Sequence, residues 1–117
     1  MLMWDVEFTD QFERWWDTLT VEEQETINAA INLLKQRGPS LGRPSVDTVK
    51  GSRHANMKEL RAGTIRVLFA FDPTRTAILL IGGDKRDRWQ AFYNEIVPLA
   101  DGLFDQHLTE LETEGGI

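Results

Sequence analysis

Met57–Lys85 reads MKELRAGTIRVLFAFDPTRTAILLIGGDK, and its alternation decides the fold. Three runs, Met57–Arg61, Thr64–Asp72 and Thr76–Ile81, are separated by Ala62-Gly63 and by Pro73-Thr74-Arg75. Gly and Pro at such breaks suit the tight turns that join antiparallel strands. A two-residue Ala62-Gly63 loop sets Leu60 opposite Ile65 and Glu59 opposite Arg66. Side chains alternate along a strand, so Leu60, Ile65, Val67, Phe69 and Phe71 fall on one face. Glu59, Arg61, Thr64 and Arg66 fall on the other, with Leu68 and Ala70 deeper in. The reading is a sheet with one apolar face and a second face whose end carries two arginines.

Upstream, Trp4–Phe8 alternates Trp4, Val6 and Phe8 with Asp5 and Glu7, the pattern of a short half-buried strand. Thr9 is placed to cap a helix over Asp10–Leu19, where Phe12, Trp15, Trp16 and Leu19 form an apolar stripe. Thr20 followed by Glu23 is a capping box for a second helix. Ile27, Ala30, Ile31 and Leu34 give that helix its buried stripe, and Gly38-Pro39 stops it. The two helices read as a hairpin laid on the sheet. Gly38–Asn56, rich in Gly, Pro and Ser, reads as one long loop, a length that is uncommon in a compact domain unless it has a function.

Downstream, Gly82-Gly83 reads as a bend leading into Asp84-Lys85-Arg86-Asp87-Arg88-Trp89. A final helix carries Phe92, Tyr93, Ile96 and Val97, and Pro98 is expected to kink or interrupt it. Leu99, Leu103, Phe104, Leu108 and Leu111 continue the apolar pattern, and 112–117 reads as a frayed acidic tail. The expectation is a single α+β domain over 1–117: strand, helical hairpin, antiparallel sheet, C-terminal helix.

With 117 residues, 41% of them hydrophobic, the chain is long enough to bury a substantial core. It has no cysteine, which excludes disulfides and thiolate chemistry and favours an intracellular, cytoplasmic location. His54 and His107 stand far apart with no ligand-spaced neighbours, so neither metal nor other cofactor is expected. No apolar run nears the roughly 20 residues that span a bilayer, and the first residues lack the basic segment of a signal peptide.

The net charge of −6 is unevenly spread. Residues 1–35 carry eight acids against two bases, 36–100 eleven bases against six acids, and 101–117 five acids and no Lys or Arg. A phosphate responds to the local field rather than the total, so the basic middle is compatible with nucleic acid. Solvated outer helix faces explain the acidic ends equally well.

The basic residues come from separate regions: Arg53 and His54 from the loop, Lys58 and Arg61 from one strand, Arg66 from the next, and Lys85, Arg86 and Arg88 from the bend. Brought together, they would hold successive phosphates of a single-stranded nucleic acid, for which the planar, permanently charged arginine fork is well suited. The competing reading is a Glu59–Arg66 cross-strand ion pair, with Arg61 as a soluble strand end. Trp89 and Tyr93, four apart, share a helical face and read either as core or as a stacking surface for a base.

The ordered set Lys50-Gly51, Met57–Arg61 (MKELR), Ile65–Phe71 (IRVLFAF), Ala77–Arg86 (AILLIGGDKR) and Phe92–Ile96 (FYNEI) resembles the RelE/ParE toxin superfamily, and within it the HigB-like, phage-derived branch. The resemblance runs from the Trp4 strand to about Leu108. It implies a RelE-like α+β fold, an antiparallel sheet with an N-terminal helical hairpin on one face and a C-terminal helix. It also implies the toxin of a type II toxin–antitoxin system, a ribosome-dependent mRNA endonuclease. The reaction would be metal-free attack of a ribose 2′-hydroxyl on the adjacent phosphate. The implied partners are mRNA, the ribosome and a cognate helix-turn-helix antitoxin of the HigA type, in a toxin–antitoxin hetero-oligomer.

By the same resemblance, Arg66 takes the arginine of the I-R strand position and Arg61 that of the L-R pair. Lys85 and Arg86 take the basic pair after the last strand, and Tyr93 or its neighbour Phe92 the place of the tyrosine that acts near the C-terminus of some members. The expected catalytic set is thus Arg61, Arg66, Lys85 and Tyr93, with Arg53, His54, Lys58, Arg86 and Arg88 binding RNA. Glu59 stands where some members have a lysine, which directs the search for a base to Lys58, Lys85, His54 or Tyr93. Two alternatives stay open: a ParE-type inhibitor of DNA gyrase, and a non-catalytic binding module of prophage origin.

Overall fold

The computed structural model describes residues 3–115. Its elements in chain order are β1 (Val6–Phe8), α1 (Asp10–Trp16), α2 (Val21–Arg37), a 3-10 turn (Gly38–Ser40), β2 (Val46–Thr48), β3 (Lys58–Ala62), β4 (Ile65–Phe71), β5 (Ala77–Asp84) and α3 (Trp89–Thr113). The strands form one sheet in the order β1-β5-β4-β3-β2. Every pairing is antiparallel except β1 with β5, which is parallel, so the expected antiparallel sheet is mixed at one edge.

Local chemistry explains the helix starts. The Thr9 side chain accepts from the Phe12 amide at 3.0 Å and donates to the Leu80 carbonyl at 2.7 Å, so one hydroxyl caps α1 and ties it to β5. Thr20 and Glu23 form the reciprocal capping box at 3.1 and 2.9 Å. That second cap ends α1 at Trp16, three residues before the expected Leu19, because Asp17–Leu19 are needed for the turn.

Helices α1 and α2 cover one face of the sheet. There Phe12, Ile27, Ile31 and Leu34 pack on Leu60, Val67, Phe69 and Leu79. Helix α3 covers the other, with Phe92, Ile96, Val97, Ala100 and Phe104 on Leu68, Ala70, Ile78 and Leu80. This second face has Leu68 and Ala70 in its core and is polar only at the end that carries the two arginines, as the sequence places them.

Three sequence expectations are corrected. The hairpin loop is Gly63-Thr64, not Ala62-Gly63, so Ala62 pairs with Ile65, Arg61 with Arg66 and Glu59 with Leu68. Gly63 has φ +64° and Thr64 does not share the positive sign, which is the pattern of a type II′ turn with glycine first. Sliding the pairing by an even number of residues leaves every side chain on its expected face. Next, the 38–56 segment contains the 3-10 turn and β2, whose single buried residue, Val46, offers no alternation to read.

Gly82-Gly83, the third, is not a bend, since β5 runs through it to Asp84. The irregularity lies earlier, where Leu68 pairs with Ile81 but Phe69 with Leu79, leaving Leu80 as the extra residue of a bulge. The glycines are there because a Cβ on Gly82 would lie 2.3 Å from the Trp15 ring and one on Gly83 2.8 Å from the Phe92 ring.

Pro98 sits inside α3, which neither stops nor restarts there. Pro98 and Asn94, the residue whose carbonyl loses its partner, both face solvent, while the apolar stripe on either side stays buried. The helix continues to Thr113, into the stretch expected to fray, and 116–117 lie outside the described residues. Among the described residues, no helix is long and apolar enough to cross a membrane.

Candidate active site

At the β3 end of the sheet, under the first turns of α3, Arg61 and Arg66 pair directly across the hairpin. Facing like charges repel, so something must hold them. Glu59, two residues back on β3 and on the same face, does so. Its Oε2 lies 3.0 Å from Arg61 Nε and 3.9 Å from Arg66 Nε. Its Oε1 accepts the Tyr93 hydroxyl at 2.5 Å. Arg61 also reaches Asp47 Oδ2 on β2 at 3.1 Å, and Asp47 meets Arg43 at the same distance.

Glu59 and Arg66 are buried, at 4% and 7% exposure, whereas Arg61 and Tyr93 are half-buried. Arg66 Nη1 donates to the carbonyls of Gly63 and Ile65 at 2.7 and 3.0 Å. Its Nε is buried with no hydrogen-bond partner. A charged donor left unmatched in the interior costs free energy that an arriving anion recovers.

The protonation states follow from these contacts. Burial, reinforced by the Glu59 carboxylate, pushes the Tyr93 phenol up to about 12, with Arg66 acting weakly the other way. Partial burial and the nearby Arg66 charge lower Lys85, whose ammonium stands 4.0 Å over the Trp89 ring. At the rim, Asp47 is lowered by its hydrogen bond with Arg43 and Asp84 by the Arg86 amide. The positive field of Arg61, Arg66 and Lys85 is therefore opposed locally by Glu59, Asp47 and Asp84.

The structure thus brings Arg61, Arg66, Lys85 and Tyr93 together. Lys58 shares the parity of Leu60 and faces the helical hairpin rather than this cluster. Arg53 and His54 are held by Asp105 on α3, both at 2.7 Å, and Asp101 accepts the Arg53 amide at 3.0 Å. Twelve residues of helix separate Asp105 from Tyr93, about 18 Å at 1.5 Å per residue. Arg86 pairs with Asp84 at 3.1 Å and Arg88 with Glu95 at 2.7 Å, both exposed near the start of α3.

Two further residues belong to the site. Glu59, set aside by sequence reasoning for not being a lysine, is its centre; its parity with Arg61 was the available signal. Trp89 is 64% exposed beside Lys85 and so is not core. A cleft of about 290 Å³ runs along Gly83, Asp84, Arg88, Phe92 and Glu95 without reaching Glu59, Arg61, Arg66, Lys85 or Tyr93. A larger one, about 350 Å³, lies elsewhere, among Glu7, Asp10, His107 and Glu110.

Residues 14–105 match the family described as "Phage derived protein Gp49-like (DUF891)". The chain belongs to this family. The Gp49-like chain is 47% identical over 108 residues to a Mycobacterium tuberculosis protein named as toxin HigB2, an alignment covering 88% of the chain and 54% of the relative. It thus spans about half the length of that protein. It is 54% identical over 93 residues to one named as toxin HigB3 from the same organism, covering 78% and 82%.

Among solved structures, the Mycobacterium tuberculosis toxin–antitoxin complex RelBE2 superposes with a TM-score of 0.57 at 21% identity, covering 71% of this chain and 99% of that one. At that identity the likeness establishes the fold. The Gp49-like chain has the RelE-like α+β architecture that the sequence implies, with a hairpin of helices on one face of the sheet and α3 on the other.

Proposed function

We propose that this chain is the toxin of a type II toxin–antitoxin pair and acts in the cytoplasm as a ribosome-dependent mRNA endonuclease. A helix-turn-helix antitoxin of the HigA type would restrain it in a hetero-oligomer. Kinship with proteins named HigB supports the toxin assignment. The observation that carries the nuclease assignment is the unmatched, buried Nε of Arg66 beside Arg61, Lys85 and Tyr93.

In this reading the scissile phosphate is gripped by Arg66, and Arg61 turns from Glu59 toward it. Both stay charged and stabilise the negative charge that builds on the phosphate oxygens. Trp89 offers its open ring face to a base next to the phosphate. Arg86 and Arg88 sit near the approach and meet the backbone on either side. Lys85, its ammonium made more acidic by burial and by Arg66, supplies the proton for the departing 5′-oxygen. Tyr93 keeps its proton and acts as a hydrogen-bond donor.

The test is inducible expression with transcriptome-wide mapping of RNA 5′ ends, in wild type and Arg66→Lys. New ends inside translated frames, lost in the variant while growth arrest is relieved, support the reading. Arrest without new ends overturns it.

One observation favours a second reading. Arg61 is already held by two carboxylates and Arg66 Nη1 by two carbonyls, as in a surface built to bind protein rather than cut RNA. A ParE-type gyrase inhibitor would arrest growth with induction of DNA-damage signalling and no transcript cleavage.

A further inference from the structure

The cleavage step needs a group that takes the proton from the attacking 2′-hydroxyl, and the geometry of the cluster leaves one. We propose that Glu59 is that proton acceptor, a deepening that rests on the nuclease reading. Arg61 and Arg66 carry their protons at any physiological pH. Lys85 is an ammonium facing two guanidinium groups, and the Tyr93 phenol is held protonated by burial and by Glu59 itself. Lys58 lies on the other face of the sheet, and His54 is bound to Asp105 about three helical turns away. Two further carboxylates stand at the rim. Asp47 is committed to Arg43 and Arg61, and Asp84 to Arg86, both outside the Glu59–Arg66–Tyr93 contact.

Glu59 is also the best placed. It sits on a central strand, its carboxylate fixed from one side by Tyr93 at 2.5 Å and from the other by Arg61 at 3.0 Å. The buried Arg66 Nε is 3.9 Å from its Oε2. A phosphate held by the two guanidinium groups brings its own ribose to the neighbouring carboxylate. Arg61, the more exposed of the two arginines, clears the way as it turns from Glu59 toward the phosphate.

The step balances without metal or oxidant. The 2′-oxygen bonds to phosphorus as its proton passes to Glu59. The P–O5′ bond breaks, and O5′ takes a proton from the Lys85 ammonium. The products are a 2′,3′-cyclic phosphate and a 5′-hydroxyl end. A second cycle requires Glu59 to lose its proton and Lys85 to regain one, both exchanged with water.

The test compares wild type, Glu59→Gln and Glu59→Asp in cleavage of mRNA on programmed ribosomes across pH, with a tyrosinate titration of each folded protein. Glu59→Gln keeps the shape and the acceptor for Tyr93 but not the basicity. It is expected to slow cleavage by about 10²–10⁴-fold and to remove the acidic limb of the pH–rate profile. Glu59→Asp is expected to recover part of the rate and restore that limb. Because Tyr93 is the chain's single tyrosine, its titration shows whether the pocket is intact in each variant. A folded Glu59→Gln that cleaves at the wild-type rate with an unchanged profile overturns the assignment of Glu59 alone. A wild type that leaves ribosome-bound mRNA uncut overturns the nuclease reading, and Glu59 as its base falls with it.

Discussion

The Tyr93 hydroxyl and a Glu59 carboxylate oxygen lie 2.5 Å apart, joining the first turns of α3 to the middle of β3. The phenol donates and the carboxylate accepts, so ionising Tyr93 would set two negative charges against each other in a buried place. Folding therefore holds this proton. The unfolded chain releases it near pH 10 and the folded one near 12. Stability from this pair should be complete below pH 10 and disappear as pH rises through 12. Ultraviolet titration of tyrosinate, with urea melts at each pH, checks both midpoints.

Tyr93→Phe keeps the ring against Phe92 and removes only the hydroxyl. Glu59 retains Arg61 but loses one acceptor bond, and the expected cost is about 1–3 kcal/mol by urea denaturation. A change below the error of the melt would mean that the hydroxyl is solvated rather than bonded.

Gly83 pairs with Arg66 and lies beneath Phe92. Gly83→Ala puts a methyl 2.8 Å from a Phe92 ring carbon, so α3 must lift at its N-terminal end. The expected loss is about 1–3 kcal/mol of stability, the usual cost of overpacking. Faster amide exchange in 89–96 than in 100–108 would localise the displacement.

Arg53→Ala removes an exposed ion pair with Asp105 on the far part of α3. Water and salt screen such a pair so that it adds little to stability, and cleavage should stay within about twofold of wild type. Asp101→Ala should behave differently. Asp101 is 3% exposed and accepts from the Ser52 hydroxyl and the Arg53 amide, so its loss leaves two partly buried donors without their acceptor, at about 1–3 kcal/mol. Hydrogen exchange across 50–56 separates the two variants.

Asp72 links the β4–β5 turn to α3 through His107 at 2.8 Å. Burial pushes its carboxyl up, but hydrogen bonds from His107, Thr74 and Thr76 outweigh that and hold it below its ordinary value. A depressed carboxyl stabilises the fold above the unfolded value near 3.9, and the stabilisation is lost as pH falls below it. Asp72→Asn should flatten the acid limb of the stability curve below about pH 4, measured by thermal melts.

The apolar and capping pattern made much of this fold legible. Thr9, Thr20 with Glu23, and the Ile27-Ala30-Ile31-Leu34 stripe are local signals, and each is seated where the sequence places it. The face of each residue in β3 and β4 was legible too, because parity survives a two-residue slide. Register was not, since a glycine fits either position of a tight turn until cross-strand packing chooses. The same holds for the site. Arg61, Arg66, Lys85 and Tyr93 meet because β3, β4, β5 and α3 bring them to one end of the sheet. Arg53 and His54 look equally basic on paper, but Asp101 and Asp105, some fifty residues away, claim them. Glu59 shows the reverse case: a residue judged by type alone hides a role that its neighbours define.

The first of the five described strands pairs with the last. β1 lies parallel to β5, and the Thr9 hydroxyl that caps α1 also donates to a carbonyl 71 residues further on. A nascent chain emerging from the ribosome therefore carries an N-terminal strand and helix with nowhere to dock until β5 has cleared the exit tunnel. Contacts of such separation are formed late and slowly. Lys85 follows β5 directly, so the cluster cannot assemble before β5 has cleared the tunnel, which delays any activity of the site until then.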